Sequence, residues 1–199
     1  MRKLRILLGG ALALAACSTT PRPPTAAELA NPLLAPGFMA QATSANQFEI
    51  ESAQLALQAS QNPAVQSFAN TLIADHGAMG QQMAAAAAAA HLPPPAPALL
   101  PPQQAMLDQL RAAGSGYTFD QAFQQAQIQA HQQGIALMQN YSARGDVPAL
   151  RTVAAQAIPV MQKHLAMAQS LQIAPPAPPP PPPPPPVQAP TPGQRGERG

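Results

Sequence analysis

"VQSFANTLIADHGAM" spans residues 65–79. Val65, Ala69, Leu72, His76 and Met79 recur at three- and four-residue spacings, and the series continues to Met83. That is the spacing of one face of an α-helix, the face a helix turns toward its partners. His76 therefore stands where leucine would be expected. A buried imidazole must be hydrogen-bonded or hold a ligand, because an unsatisfied buried polar group is costly. The stretch thus raises two questions: which other helices cover this face, and what meets His76.

Upstream, Asn62 offers an N-cap and Pro63 a first helical residue, so this helix starts there. It runs through the alanine tract 84–90 and stops before "HLPPPAP" (91–97). His91 falls at its end, where a cation favours the helix dipole. An earlier helix is predicted over about 38–60, with Phe38, Ala42, Ala45, Glu49, Ser52, Ala56 and Ala59 on one face. A short helix fits 103–112. "TFDQ" (118–121) has capping-box spacing, with Thr118 as N-cap. The helix after it carries Ile128, His131, Ile135 and Met138 on one face and ends at Gly145. The last runs from Pro148 to about Leu171, with Leu150, Ala154, Ala157, Met161, His164 and Ala168 aligned. Pro159 inside it predicts a kink near His164. No alternating strand pattern is present in the sequence. The expectation is an all-α, ferritin-like up-down four-helix bundle with a short extra helix between its second and third helices. The turns at 61–62 and 145–147 are expected at the same end.

The faces carry Glu49, His76, His131 and His164, one per long helix. At about 1.5 Å per residue, all four fall at comparable depth. They are the candidates for a metal site or a buried polar network, with Glu51, Asp75 and Asp120 as secondary candidates. Asp75 is expected on the solvent side or orienting a neighbour. Asp120 is expected to serve the N-terminal dipole of its helix. Three imidazoles and a carboxylate suit one Zn, Cu, Ni or Fe ion. A hydrogen-bonded network without metal would equally keep such residues in a core. Met79, Met83, Met138, Met161 and Met167 would suit Cu(I), or fill gaps as methionine commonly does.

Four stretches, "EIESAQLALQAS" (49–60), "VQSFANTLIADHGAM" (65–79), "FDQAF" (119–123) followed by His131, and "IPVMQKHLAMA" (158–168), resemble the exported bacterial proteins grouped as domain of unknown function 4142. These proteins are ferritin-like and often labelled outer-membrane proteins. The resemblance covers about 38–171 and implies a four-helix bundle in the cell envelope. It implies no activity. A di-iron ferritin-like centre needs Glu three residues before His on two helices. Ile73 and Met161 stand there instead.

The ends of the chain speak to location. Arg2, Lys3 and Arg5 precede an apolar run from Ile6 to Ala16, a signal peptide over 1–16. It closes on "LAAC" (14–17), a lipobox-like pattern, and Cys17 is the chain's one cysteine. Cys17 is the expected lipidation site, anchoring the chain to a membrane, and Ser18 after it favours the outer membrane facing the periplasm. Residues 17–37 read as a flexible tether, 38–173 as the bundle and 174–199 as a disordered proline-rich tail. The tail could engage an envelope or cell-wall partner. The chain has 10 basic and 8 acidic residues. Loss of the signal peptide leaves 7 against 8, and no basic face for nucleic acid. No nucleophile elbow, phosphate loop or zinc-protease helix is present. The first reading is therefore a lipid-anchored structural or interaction module, with enzyme activity left open. A periplasmic metal-binding or buffering protein comes second, and a metal-dependent oxidoreductase third.

Overall fold

The computed structural model describes residues 22–94 and 97–175. The expected signal peptide (1–16), Cys17 and the expected proline-rich tail from 176 onward lie outside the described residues. Six helices and no strand are found among those described: α1 (Ala26–Ala30), α2 (Ala35–Ala59), α3 (Pro63–Ala89), α4 (Pro101–Ala112), α5 (Gly116–Arg144) and α6 (Pro148–Ser170). The chain is all-α. No described helix is long and apolar enough to cross a membrane.

Several boundaries follow local chemistry that the sequence displays. Asn62 caps α3, its Oδ1 accepting from the Ala64 N–H at 2.9 Å, and Pro63 is the first helical residue. Gly145 ends α5. A Cβ at Gly145 would meet the Tyr141 ring at 2.6 Å, so the turn needs glycine there. Other boundaries differ. The expected tether already contains α1, closed by a capping box in which Thr25 and Glu28 satisfy each other's backbone N–H groups. Thr118 is not an N-cap: α5 begins at Gly116, after a turn in which Gly114 and Gly116 both take positive φ. Gln121 bonds the Tyr117 hydroxyl instead of closing a box. α6 runs continuously through Pro159. His91 follows α3 with φ of 56°, in the left-handed region. Its N–H reaches the Ala88 carbonyl and that of Leu92 reaches Ala87, the pairing that closes a helix with a Schellman motif.

The long helices form a ring. α2 packs on α3 and α5, and α6 packs on the same two. α4 lies against α2 and α5. The expected placement of the turns is corrected here. Asn62, in the α2–α3 turn, donates to the Gln172 carbonyl just beyond α6 at 3.0 Å. At the other end, the Asp146 N–H in the α5–α6 turn bonds the Leu33 carbonyl just before α2 at 3.2 Å. The two turns therefore sit at opposite ends. α2 and α6 run one way, α3 and α5 the other, and the link from α3 to α5 carries the chain back along the bundle.

Two apolar clusters fill the interior. The one toward the 145–147 turn centres on Phe38 and Tyr141, whose rings stack with centroids 3.7 Å apart. The Tyr141 hydroxyl donates to Asp146 at 2.8 Å. The other, toward the 60–62 turn, holds Phe48, Phe68, Leu72, Phe119 and Phe123, with Leu107 and Leu110 of α4 covering its side. Between them lies a polar layer.

Candidate metal centre

The polar layer answers what meets His76. The rings of His76, His131 and His164 stand face to edge or tilted, with centroids 5.4 to 5.7 Å apart. All three side chains are buried. One ligand nitrogen from each lies within 4.8 Å of the other two. Three helices contribute: His76 from α3, His131 from α5 and His164 from α6.

Each ring is held from outside by a different acceptor. His76 Nδ1 is 3.0 Å from Asn46 Oδ1 on α2. His131 Nδ1 is 2.9 Å from the Gln127 carbonyl one turn earlier. His164 Nε2 is 2.8 Å from Asp75 Oδ2 on α3. Carbonyl and carboxylate oxygens only accept, so these three ring nitrogens carry the hydrogen. The opposite nitrogens, His76 Nε2, His131 Nε2 and His164 Nδ1, are buried with no hydrogen-bond partner. An imidazole whose outer N–H is fixed by an acceptor presents its other nitrogen as a lone pair, the arrangement found behind metal-ligating histidines.

Burial disfavours the charged form of His131 and His76. Desolvation lowers His131 to about 4, aided by the His164 charge and opposed by the Gln127 carbonyl. It also lowers His76 well below the usual histidine value, with His131 and His164 adding repulsion. Glu49 is 2 % exposed, and burial raises its carboxyl to about 8, against a hydrogen bond from Gln127. Its Oε1 stands 3.6 Å from His131 Nδ1, and its Oε2 has no partner. That distance is too long for a good hydrogen bond. With the carboxyl protonated and the imidazole neutral at pH 7, the contact is not an ion pair.

The structure thus brings together His76, His131 and His164, with Glu49 beside them and Asp75 behind. Asp75 orients His164, one of the two roles open to it from sequence. Glu51 and Asp120 do not join the layer. Glu51 accepts from Gln47 at 2.8 Å and faces Arg111 of α4 at 3.9 Å. Asp120 is buried and not at the helix dipole, because α5 starts at Gly116 and its first turn holds no acidic residue. It precedes His131 by three turns, about 16 Å along the axis. Asn46 and Gln127 were missed. The only trace either leaves in the sequence is spacing, Asn46 three residues before Glu49 and Gln127 four before His131.

A cavity of about 260 Å³ adjoins the layer on the side of the 145–147 turn. Glu49, His76, Met79, Met83, Met138 and Met161 form part of its wall.

Residues 19–171 match the family described as "Domain of unknown function (DUF4142)". The chain belongs to this family. No curated protein matches the chain. A solved structure, "CopM in the Cu(II)-bound form", aligns with a TM-score of 0.56 at 20 % identity, covering 66 % of this chain and 90 % of that one. At that identity the likeness bears on the fold alone, and the fold it shares is helical.

Proposed function

We propose that this member of the DUF4142 family is an exported, lipid-anchored metal-binding protein of the cell envelope. One transition-metal ion is held by His76 Nε2, His131 Nε2 and His164 Nδ1. The single observation that carries this reading is the orientation of the rings. Each of the three clustered imidazoles keeps one buried nitrogen without a partner while its outer nitrogen has an acceptor. A network evolved only for packing would pair these atoms with one another or with the backbone, because leaving each unpaired costs on the order of 1–3 kcal/mol. Neutral imidazoles suit Zn, Cu, Ni and Fe. Zn–N bonds of about 2.0–2.1 Å place three ligands nearer together than 4.8 Å, so the rings close in by roughly an ångström. The Cu(II) named for the CopM structure favours copper among these candidates. We read the four long helices as a ferritin-like four-helix arrangement with the α4-bearing link as its crossover. This promotes the metal reading over the structural-module reading placed first from sequence. The oxidoreductase reading lacks carboxylates at Ile73 and Met161.

The test is metal content. The full chain, purified without a polyhistidine tag and dialysed against Zn(II) or Cu(II), should retain about one ion per chain. His131→Asn and His164→Asn should retain none, and Asp75→Asn should bind roughly 10- to 100-fold more weakly through loss of ring orientation. Equal retention by His131→Asn would remove His131 from the site. No retention by the natural chain would end the metal reading.

Export and anchoring rest on "LAAC" at 14–17 and have their own test. Cys17→Ser should leave uncleaved precursor, whereas the natural chain should partition with detergent, since two or more acyl chains anchor a protein stably. Cleaved, water-soluble protein from the Cys17→Ser gene would contradict the anchor.

A further inference from the structure

We propose that the cavity beside the imidazole layer is a second metal site, made of thioethers and selective for Cu(I). It goes beyond the imidazole site and does not require that site to be filled.

The placement of the methionines is regular. Met79 and Met83 follow His76 by three and seven residues on α3. Met138 follows His131 by seven on α5, and Met161 precedes His164 by three on α6. α3 and α5 run toward the 145–147 turn and α6 runs away from it. All four offsets therefore point the same way, about 4.5–10 Å along the axis. The helices that supply the imidazoles thus supply a thioether layer directly next to them. Met83, Met138 and Met161 are each under 9 % exposed.

The four methionines border a pocket of about 260 Å³ that is partly open to solvent. The opposite wall is kept small by Ala42 and Ala45 of α2. Gly134 supports the same conclusion. It sits inside α5, where glycine costs about 1 kcal/mol relative to alanine. A Cβ there would run into Met161 Cε. The helix gives up propensity so that this thioether can lie along its surface and reach the cavity.

The ligand chemistry selects the ion. Thioethers are neutral and soft, which suits Cu(I) and disfavours Zn(II) and other harder divalent ions. A monovalent charge is the smaller burden for a wall in which apolar side chains predominate. The unbranched side chains can draw inward on an ion.

The experiment is an anaerobic competition for Cu(I) between the full chain and bathocuproine disulfonate. The natural chain should withdraw Cu(I) from the chelator, with sulfur ligands in the X-ray absorption spectrum. Replacing Met79, Met83, Met138 and Met161 together by Leu conserves volume closely and should weaken Cu(I) by on the order of 100-fold or more, with Zn(II) binding changed less than about twofold. If the quadruple variant does not melt cooperatively, the Met138→Leu/Met161→Leu pair with the absorption spectrum replaces it. Undiminished Cu(I) affinity in the leucine variant, or a nitrogen-only spectrum, would overturn the thioether site. Zn(II) retention reads the imidazole site separately, so each site can fail alone.

Discussion

Saturating Zn(II) is expected to raise the unfolding free energy of the full chain by about 4 kcal/mol when free ion stands a thousandfold above Kd. The increment follows from mass action: an ion that binds the folded layer and not the unfolded chain shifts the equilibrium toward the folded state. His76→Leu combined with His131→Leu should abolish the increment. The same variant should be as stable as the natural metal-free protein, or more so, because it removes two buried nitrogens that have no partner and replaces polar core by apolar core. This opposite movement in the two conditions is diagnostic of a layer built for a ligand. A natural chain unmoved by Zn(II), with a leucine variant badly destabilised, would mark the histidines as structural.

In chelator, stability should peak near pH 6.5 and fall on both sides. Glu49 has its folded value raised from 4.5 to about 8. Between those values the folded protein holds the extra proton, so stability is lost as pH rises. His131 has its folded value lowered from 6.5 to about 4, and His76 is lowered as well. Below pH 6.5 the unfolded chain takes up those protons, so stability is lost as pH falls. Where the windows overlap, two histidines outweigh one carboxyl. Above pH 6.5 Glu49 acts without them. Glu49→Gln should flatten that alkaline limb and exceed the natural protein at pH 8 by on the order of a few kcal/mol. Urea unfolding across pH measures both limbs. An alkaline limb unchanged by Glu49→Gln would mean that Glu49 is ionised in the folded protein.

The helices and the histidine layer were legible because periodicity is a local signal. Val65, Leu72 and His76 reveal their shared face without knowledge of any partner. Which end a turn occupies is not local, and the turns at 60–62 and 145–147 were placed together when they lie apart. The layer survived that error because Glu49 and His76 lie near mid-helix in α2 and α3, where depth is nearly the same from either end, while His131 and His164 are both counted from the 145–147 turn that joins their helices. A signal was available: the link from 90 to 115 is far longer than the two to eight residues that usually join neighbouring helices in a bundle. Asn46 and Gln127 could not be picked out, since nothing in a polar side chain's identity says that it faces an imidazole. α1 was obscured by surrounding prolines, although Thr25 and Glu28 carry its capping box. The cavity emerges only when four helices are assembled.

The bond between Leu33 and Asp146 has a consequence for how the molecule stands. It clamps the start of α2 to the 145–147 turn, so the chain leaves the bundle toward Cys17 from that end. From Cys17 to Arg22 there are five residues, no more than about 18 Å of backbone. If Cys17 is acylated as proposed, the leash is shorter than the bundle, whose α6 alone spans about 35 Å. The thioether end would then lie nearer the bilayer and the end of α6 on the far side. The protein would stand upright, with the cavity toward the lipid and the end of α6 away from it.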